Sequence, residues 1–269
     1  MPTNRRLRII KIMIKPKVLI FSGYGLNCEE ETKYAFDLAG GTAHIVHIND
    51  LIDGIKKIKD YQILAFPGGF SYGDDTGSGK AYANKVRNHL SDDIADFVSK
   101  DKLIIGVCNG FQILTNLGLL RGALTFNDNA RYLDRWVDLR IEGNSPWLAG
   151  VKTISLPIAH GEGKFYADKK TLRDLNAAHN IAARYIKGDI CKYQGMPANP
   201  NGSLEDIAGI TAHDGRVLGM MPHPERALFT TQLPQFPYLK EKSRRERKPL
   251  PEHGLALQIF KNAIEFFQH

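Results

Sequence analysis

From residue 17 onward the chain alternates short apolar runs with amphipathic ones. Lys17-Val-Leu-Ile-Phe-Ser22 is an apolar run closed by Gly23, the pattern of a buried strand with a turn behind it. Asn27 predicts the N-cap of a helix whose first turn holds Glu29, Glu30 and Glu31, acids that suit the positive end of a helix dipole. Gly40 and Gly41 close that helix. Strands are expected over 43–48 and 62–66, the second halted by Pro67-Gly68-Gly69. Ser91 reads as the cap of an amphipathic helix over 91–98. The strongest strand, 102–107, runs straight into Cys108. Residues 109–117 then place Phe111, Ile113, Leu114 and Leu117 at helical spacing before Gly118. Strands and helices alternating at these lengths predict a parallel sheet covered by helices on both faces.

Beyond residue 120 the pattern becomes richer in strands, with candidates at 132–141, 152–158, 178–186 and 217–221. A last helix is expected over 255–267, with Leu255, Ile259, Ile264 and Phe267 toward the core. No composition break marks a linker. The expectation is one α/β domain over 17–269: a mostly parallel sheet flanked by helices, with an antiparallel extension. Residues 231–253 hold Pro234, Pro237, Pro249 and Pro251 and a cluster of bases, the signature of a long surface insertion.

Composition narrows the class. At 269 residues, 43% hydrophobic and 24% charged, the chain is long enough for a full core and is neither disordered, collagenous nor membrane-spanning. Its net charge of +7 is concentrated in two places. Arg5, Arg6, Arg8, Lys11, Lys15 and Lys17 stand without an acid in a basic N-terminal extension over 1–16 and the start of the first strand. Six more bases fall within 240–248 against Glu241 and Glu246. The remainder is mildly acidic, so no nucleic-acid surface is indicated. Lys11 interrupts the apolar residues near the N-terminus, which argues against a targeting signal; that segment reads as a frayed extension or a short edge strand. The three cysteines form no C-x-x-C pair and suggest neither a disulfide framework nor a zinc site. A reducing cytoplasm is the expected location, with Cys28 and Cys191 as structural thiols.

The sharpest chemical feature is Gly106-Val107-Cys108-Asn109-Gly110. Small residues flanking a nucleophile at a strand-to-helix junction make a nucleophile elbow, a turn too tight for bulky neighbours. The thiol would stand at the carboxyl edge of the sheet, facing the N-terminus of the next helix, which favours a thiolate. A base and a group to orient it are offered by His223 and Glu225, two positions apart between Pro222 and Pro224. Gly68-Gly69 ends another parallel strand and allows a backbone N–H to approach a ligand. With the N–H of Asn109 it would make a two-donor oxyanion hole. Gly77-Ser78-Gly79-Lys80 fails as a phosphate loop, because Asp74 stands where the first glycine belongs and Ala81 follows the lysine. No dinucleotide, metalloprotease or calcium motif is present, so no metal or cofactor is expected on this chain.

Together these residues resemble the class I glutamine amidotransferases. The elbow Gly106, Cys108, Gly110 and Gln112 and the later His223 and Glu225 match that family's pattern. Asn27-Cys28-Glu29, Pro67-Gly-Gly-Phe-Ser-Tyr-Gly-Asp74, His160-Gly-Glu-Gly-Lys-Phe165 and Asn199-Pro-Asn-Gly-Ser203 narrow the likeness to glutaminase subunits of purine biosynthesis. The resemblance spans about residues 17–228 and implies the family's flavodoxin-like α/β fold. It also implies Cys108 as nucleophile, His223 as proton carrier, Glu225 as its support, and Gly69 and Asn109 as the oxyanion hole. Gln112, His160, Gly161 and Glu162 become candidates for substrate binding or the partner interface. Glutamine would be hydrolysed through a cysteinyl thioester. The ammonia would pass to a large synthetase subunit that uses ATP and magnesium to turn formylglycinamide ribonucleotide into formylglycinamidine ribonucleotide, commonly with a small third subunit. Two features depart from the pattern: the stretch Asp75-Thr76-Gly77-Ser78-Gly79-Lys80, and the length of 231–253. An amidotransferase serving another acceptor and a non-catalytic relative are the competing readings; the second is disfavoured because Cys108, His223 and Glu225 are all retained.

Overall fold

The computed structural model describes residues 15–73 and 77–268. Most of the basic extension, residues 1–14, lies outside them, as do Asp74 and the first two residues of the departing stretch, Asp75 and Thr76. The strands are β1 (Lys17–Ser22), β2 (Thr42–His47), β3 (Ile63–Phe66), β4 (Leu103–Val107), β5 (Ala123–Thr125), β6 (Leu133–Ile141), β7 (Thr153–His160), β8 (Lys164–Tyr166), β9 (Ile181–Ile186), β10 (Ile207–Ala212) and β11 (Val217–Met220). Nine of them form one sheet in the order β2-β1-β3-β4-β11-β10-β9-β6-β7, while β5 and β8 pair separately.

From β2 to β11 every pairing is parallel; from β11 to β7 every pairing is antiparallel. The central strands β3 and β4 are buried at every position, as their uninterrupted apolar runs require when helices cover both faces. The parallel half with its antiparallel extension is the predicted architecture.

The helices are α1 (Glu29–Leu38), α2 (Ile48–Ile52), α3 (Lys80–Ser99), α4 (Asn109–Leu117), α5 (Lys169–Ala177), α6 (Asp189–Gln194), α7 (Phe236–Glu246) and α8 (Ala256–Glu265). Three expectations need correction. Cys28, not Asn27, caps α1, because the amides of Asn27 and Cys28 are both held by the carbonyl of Gly68. Ser91 is interior to α3, which begins at Lys80 and presents Tyr82, Ala83, Val86, Leu90, Ile94 and Phe97 to the core. Leu255 precedes α8 and is exposed, while Ile259 and Ile264 are buried as expected. Within the segment 231–253 lies α7, which buries none of its residues.

Candidate active site

Strands β3, β4 and β11 lie side by side in parallel, so the loops leaving their carboxyl ends meet at one edge of the sheet. Each loop carries one part of the predicted site. The β3 loop brings Gly68 and Gly69, β4 ends in Cys108, and β11 leads through Met221 and Pro222 to His223.

The elbow is real and strained. Cys108 has φ 51° and ψ −107°, in the region that side chains other than glycine avoid, and α4 starts immediately after it. Its neighbours have no room for a side chain. A Cβ on Gly110 would lie 1.8 Å from the carbonyl oxygen of Phe66, and one on Gly106 would lie 2.6 Å from that of Gly110. The Cys108 amide donates to the carbonyl of Met220 at 2.8 Å, tying the turn to β11. The thiol lies 3.6 Å from the carbonyl oxygen of Ala159.

His223 and Glu225 are both buried, and Nδ1 of the ring lies 2.6 Å from Oε1 of the carboxylate. Burial opposes a charge on the imidazole. The adjoining Glu225 and the thiols of Cys108 and Cys28 outweigh it, so the His223 pKa is held well above its usual value. Nε2 of the ring has no hydrogen-bond partner among the described residues, nor has Oε2 of Glu225. The short 3-10 turn Pro224–Arg226 fixes the pair, and the His223 amide is anchored to the carbonyl of Pro157 at 2.9 Å.

The amide of Asn109 is the first of α4, a position whose N–H has no partner within its own helix. Gly69 has φ 155° and is packed so closely that a Cβ would meet the carbonyl oxygen of Gly25 at 2.6 Å. Leu26 and Gly69 form an isolated antiparallel bridge that holds this loop.

The other candidates form a polar network around the elbow. Asn109 accepts from the amide of Ser71 at 3.1 Å and donates to Gln112 Oε1 at 2.7 Å. Gln112 in turn donates to the carbonyl of Glu162 at 2.6 Å. This chain of bonds links the β3 loop, α4 and the loop that leaves β7. Oε2 of Glu162 lies 3.4 Å from the Ser78 amide, while Oε1 has no partner among the described residues. The Gly77-Ser78-Gly79 turn therefore faces a carboxylate, the wrong charge for a phosphate cradle.

His160 is buried, and its Nδ1 lies 3.1 Å from Oδ1 of Asn127. Burial, helped by the charge of His223, pushes its pKa down to about 4. It is thus a neutral ring near the site. Gly161 gives its carbonyl to the Asn127 amide at 3.0 Å. Asn127 was not anticipated. It also donates to the carbonyls of Arg131 and His160 and accepts from the Gly163 amide, yet a lone asparagine carries no pattern that would reveal it. The Asn199–Ser203 motif has a supporting part: Ser203 Oγ accepts from the Phe165 amide, and Asn201 holds Ser203.

Cys28 was expected to be a structural thiol. It instead stands at the site: its Sγ, one nitrogen of His223 and one oxygen of Glu225 all lie within 4.8 Å of one another. Cys191 is fully buried, away from these residues, beside Asp138.

The likeness to known proteins is extensive. Residues 15–267 match the CobB/CobQ-like glutamine amidotransferase domain. The chain is 49% identical to a phosphoribosylformylglycinamidine synthase subunit PurQ of Methanococcus maripaludis, with 95% of this chain and 99% of that one covered. It is 40% identical to the same subunit of Dehalococcoides mccartyi, with 94% and 98% covered. Among solved structures, PurLQS from Thermotoga maritima superposes with a TM-score of 0.71 at 30% identity, covering 94% of this chain and 99% of that one. With a strained cysteine turn between β4 and α4, a buried imidazole–carboxylate pair and this breadth of similarity, the chain belongs to the CobB/CobQ-like glutamine amidotransferase family, alongside the PurQ subunits.

Proposed function

We propose that the chain is the glutaminase subunit of a phosphoribosylformylglycinamidine synthase, and that Cys108, His223 and Glu225 carry its chemistry. The observation that supports the triad best is the convergence of a strained Cys108 and the sealed His223–Glu225 pair on adjacent parallel strands. Cys108 attacks the side-chain amide carbon of glutamine. The amide oxygen becomes an oxyanion held by the N–H groups of Gly69 and Asn109. His223 gives a proton to the departing ammonia from Nε2, with Glu225 keeping the ring oriented through Nδ1. A water, deprotonated by the same nitrogen, then hydrolyses the glutamyl thioester and frees Cys108.

Gln112 shapes the hole by fixing Asn109, while the Glu162 carboxylate oxygen without a partner suits the ammonium of the amino-acid substrate. The ammonia serves a separate synthetase subunit holding ATP and magnesium, with a small third subunit completing the complex in the cytoplasm. Formylglycinamide ribonucleotide is the acceptor in this reading. A glutamine-mimicking diazo-ketone tests the site. Mass spectrometry should find one adduct, on Cys108, suppressed by excess glutamine. An adduct on Cys28 or Cys191 instead would refute the assignment.

A further inference from the structure

We propose that Cys28, His223 and Glu225 form an inhibitory site for a borderline-soft divalent cation of the zinc type. It rests on the catalytic reading only for its effect on turnover; the binding itself does not.

The donors come from two segments, the start of α1 and the turn through His223 and Glu225, that meet beside Gly68. The carbonyl of Gly68 accepts from the amides of both Asn27 and Cys28 at 3.1 Å, fixing the start of α1 against the β3 loop. A Cβ on Gly68 would lie 3.3 Å from Cys28 Sγ, 3.3 Å from His223 Nδ1 and 2.7 Å from its Cε1. The thiol and Nδ1 therefore share the Gly68 edge of the ring. Glu225 reaches the same nitrogen through Oε1 and keeps Oε2 buried and without a partner.

Thiolate, imidazole and carboxylate are the donor types that zinc accepts. A tetrahedral zinc with its usual bond lengths holds such donors about 3.3–3.6 Å apart. The present spread of up to 4.8 Å needs only a small closure of side chains. Cys28 keeps 9% of its surface exposed, whereas His223 and Glu225 keep 2% each. A water can take the fourth position.

Binding would release one proton from the Cys28 thiol and one from Nδ1 of the ring to solvent. The imidazole is then left with its proton on Nε2, the atom that must alternately accept and deliver one during turnover. The cation occupies the orienting side of the ring, not the Cys108 thiol. Inhibition would therefore be reversible and separable from loss of the nucleophile.

Cobalt(II) is a spectroscopic probe for this site. A Cys108→Ala chain, which keeps Cys28, should show a thiolate-to-cobalt charge-transfer band that zinc abolishes. Adding Cys28→Ser should remove the band, with thermal melts confirming that the double variant is folded. In the glutaminase assembled with its synthetase, zinc should inhibit and a chelator should restore activity. Cys28→Ser, or Cys28→Ala if the serine variant does not fold, should raise the half-inhibiting zinc concentration at least tenfold. A band that persists without Cys28, or equal zinc sensitivity in the Cys28 variant, would overturn the proposal. Absence of glutaminase activity in every assembly would count against the proposed function, and the cobalt band would still decide the metal site.

Discussion

Gly110 packs against the carbonyl oxygen of Phe66 so closely that a single methyl group on it would lie 1.8 Å away. The contact joins the first turn of α4 to the end of β3, the two elements that supply the proposed oxyanion donors. Gly110→Ala is expected to displace the elbow and cost about 3 kcal/mol or more, since neither backbone can yield. Thermal or denaturant unfolding measures the loss, and glutaminase turnover should fall with it. A variant with native stability and activity would refute this reading of the elbow.

Glu225 is the carboxylate that holds the imidazole, with Oε1 2.6 Å from Nδ1. Glu225→Gln keeps the size and removes the charge. It should lower kcat by roughly 10²-fold or more with little change in KM, because the orientation of His223 matters most in the transition state. Steady-state kinetics on the assembled enzyme would reveal this. A loss confined to KM would point instead to substrate binding.

Gln112 bonds both Asn109 and the carbonyl of Glu162. Gln112→Ala should destabilise the fold by about 2 kcal/mol, at roughly 1 kcal/mol for each neutral hydrogen bond lost. It should also loosen Asn109 and reduce kcat/KM by about tenfold, the scale of 1.4 kcal/mol in the barrier. Unchanged kinetics with reduced stability would leave Gln112 a purely supporting residue.

His160 supplies a pH dependence whose sign can be worked out. Its folded pKa is about 4, below the ordinary value of 6.5, because burial resists the charge. Between those two values the unfolded chain binds the extra proton and the folded chain does not. Stability therefore falls as the pH drops from 6.5 toward 4, by about 3 kcal/mol at most from this group. His160→Gln should flatten that part of the curve of melting temperature against pH. Parallel curves for the two proteins would contradict the assignment.

Helix α7 buries none of its residues, and Arg244 and Arg245 are 77% exposed as they pair with Glu241. Exchanging both arginines for glutamine should change stability by no more than about 0.5 kcal/mol. Complex affinity, followed by titration with the synthetase, should also be unchanged. A large loss of affinity would make the helix a docking element.

The elbow was legible in the sequence because both its glycines are demanded by close backbone, Gly106 by the carbonyl of Gly110 and Gly110 by that of Phe66, and they flank the cysteine in a short local pattern. The β3 loop and the Pro222–Glu225 segment were legible for a similar reason, since glycine and proline advertise unusual backbones. The start of α3 was not: Gly79 enters it in a left-handed conformation with φ 73°, and no side chain caps it. Strand β10 was hidden by an irregular register around Gly209, which interrupts its pairing with β9. Cys28 could not be placed at all, because its position beside His223 depends on the Gly68 carbonyl, a contact that leaves no local pattern.

The hydrogen bond from the Cys108 amide to Met220 has a wider meaning. Strands β4 and β11 are in register up to the pair Val107 and Met220, so the segments that lead to Cys108 and to His223 leave the sheet one ordinary strand spacing apart. Exposed loops between Gly118 and Arg216 can lengthen or shorten without altering that measure, provided that Pro157 stays in place to hold the His223 amide. The segment after Arg226, α7 included, lies beyond that measure as well. The ladder works as a ruler with two marks, and variation in those loops is free to adapt the protein's outer surfaces while the spacing of the segments that lead to thiol and imidazole is inherited unchanged.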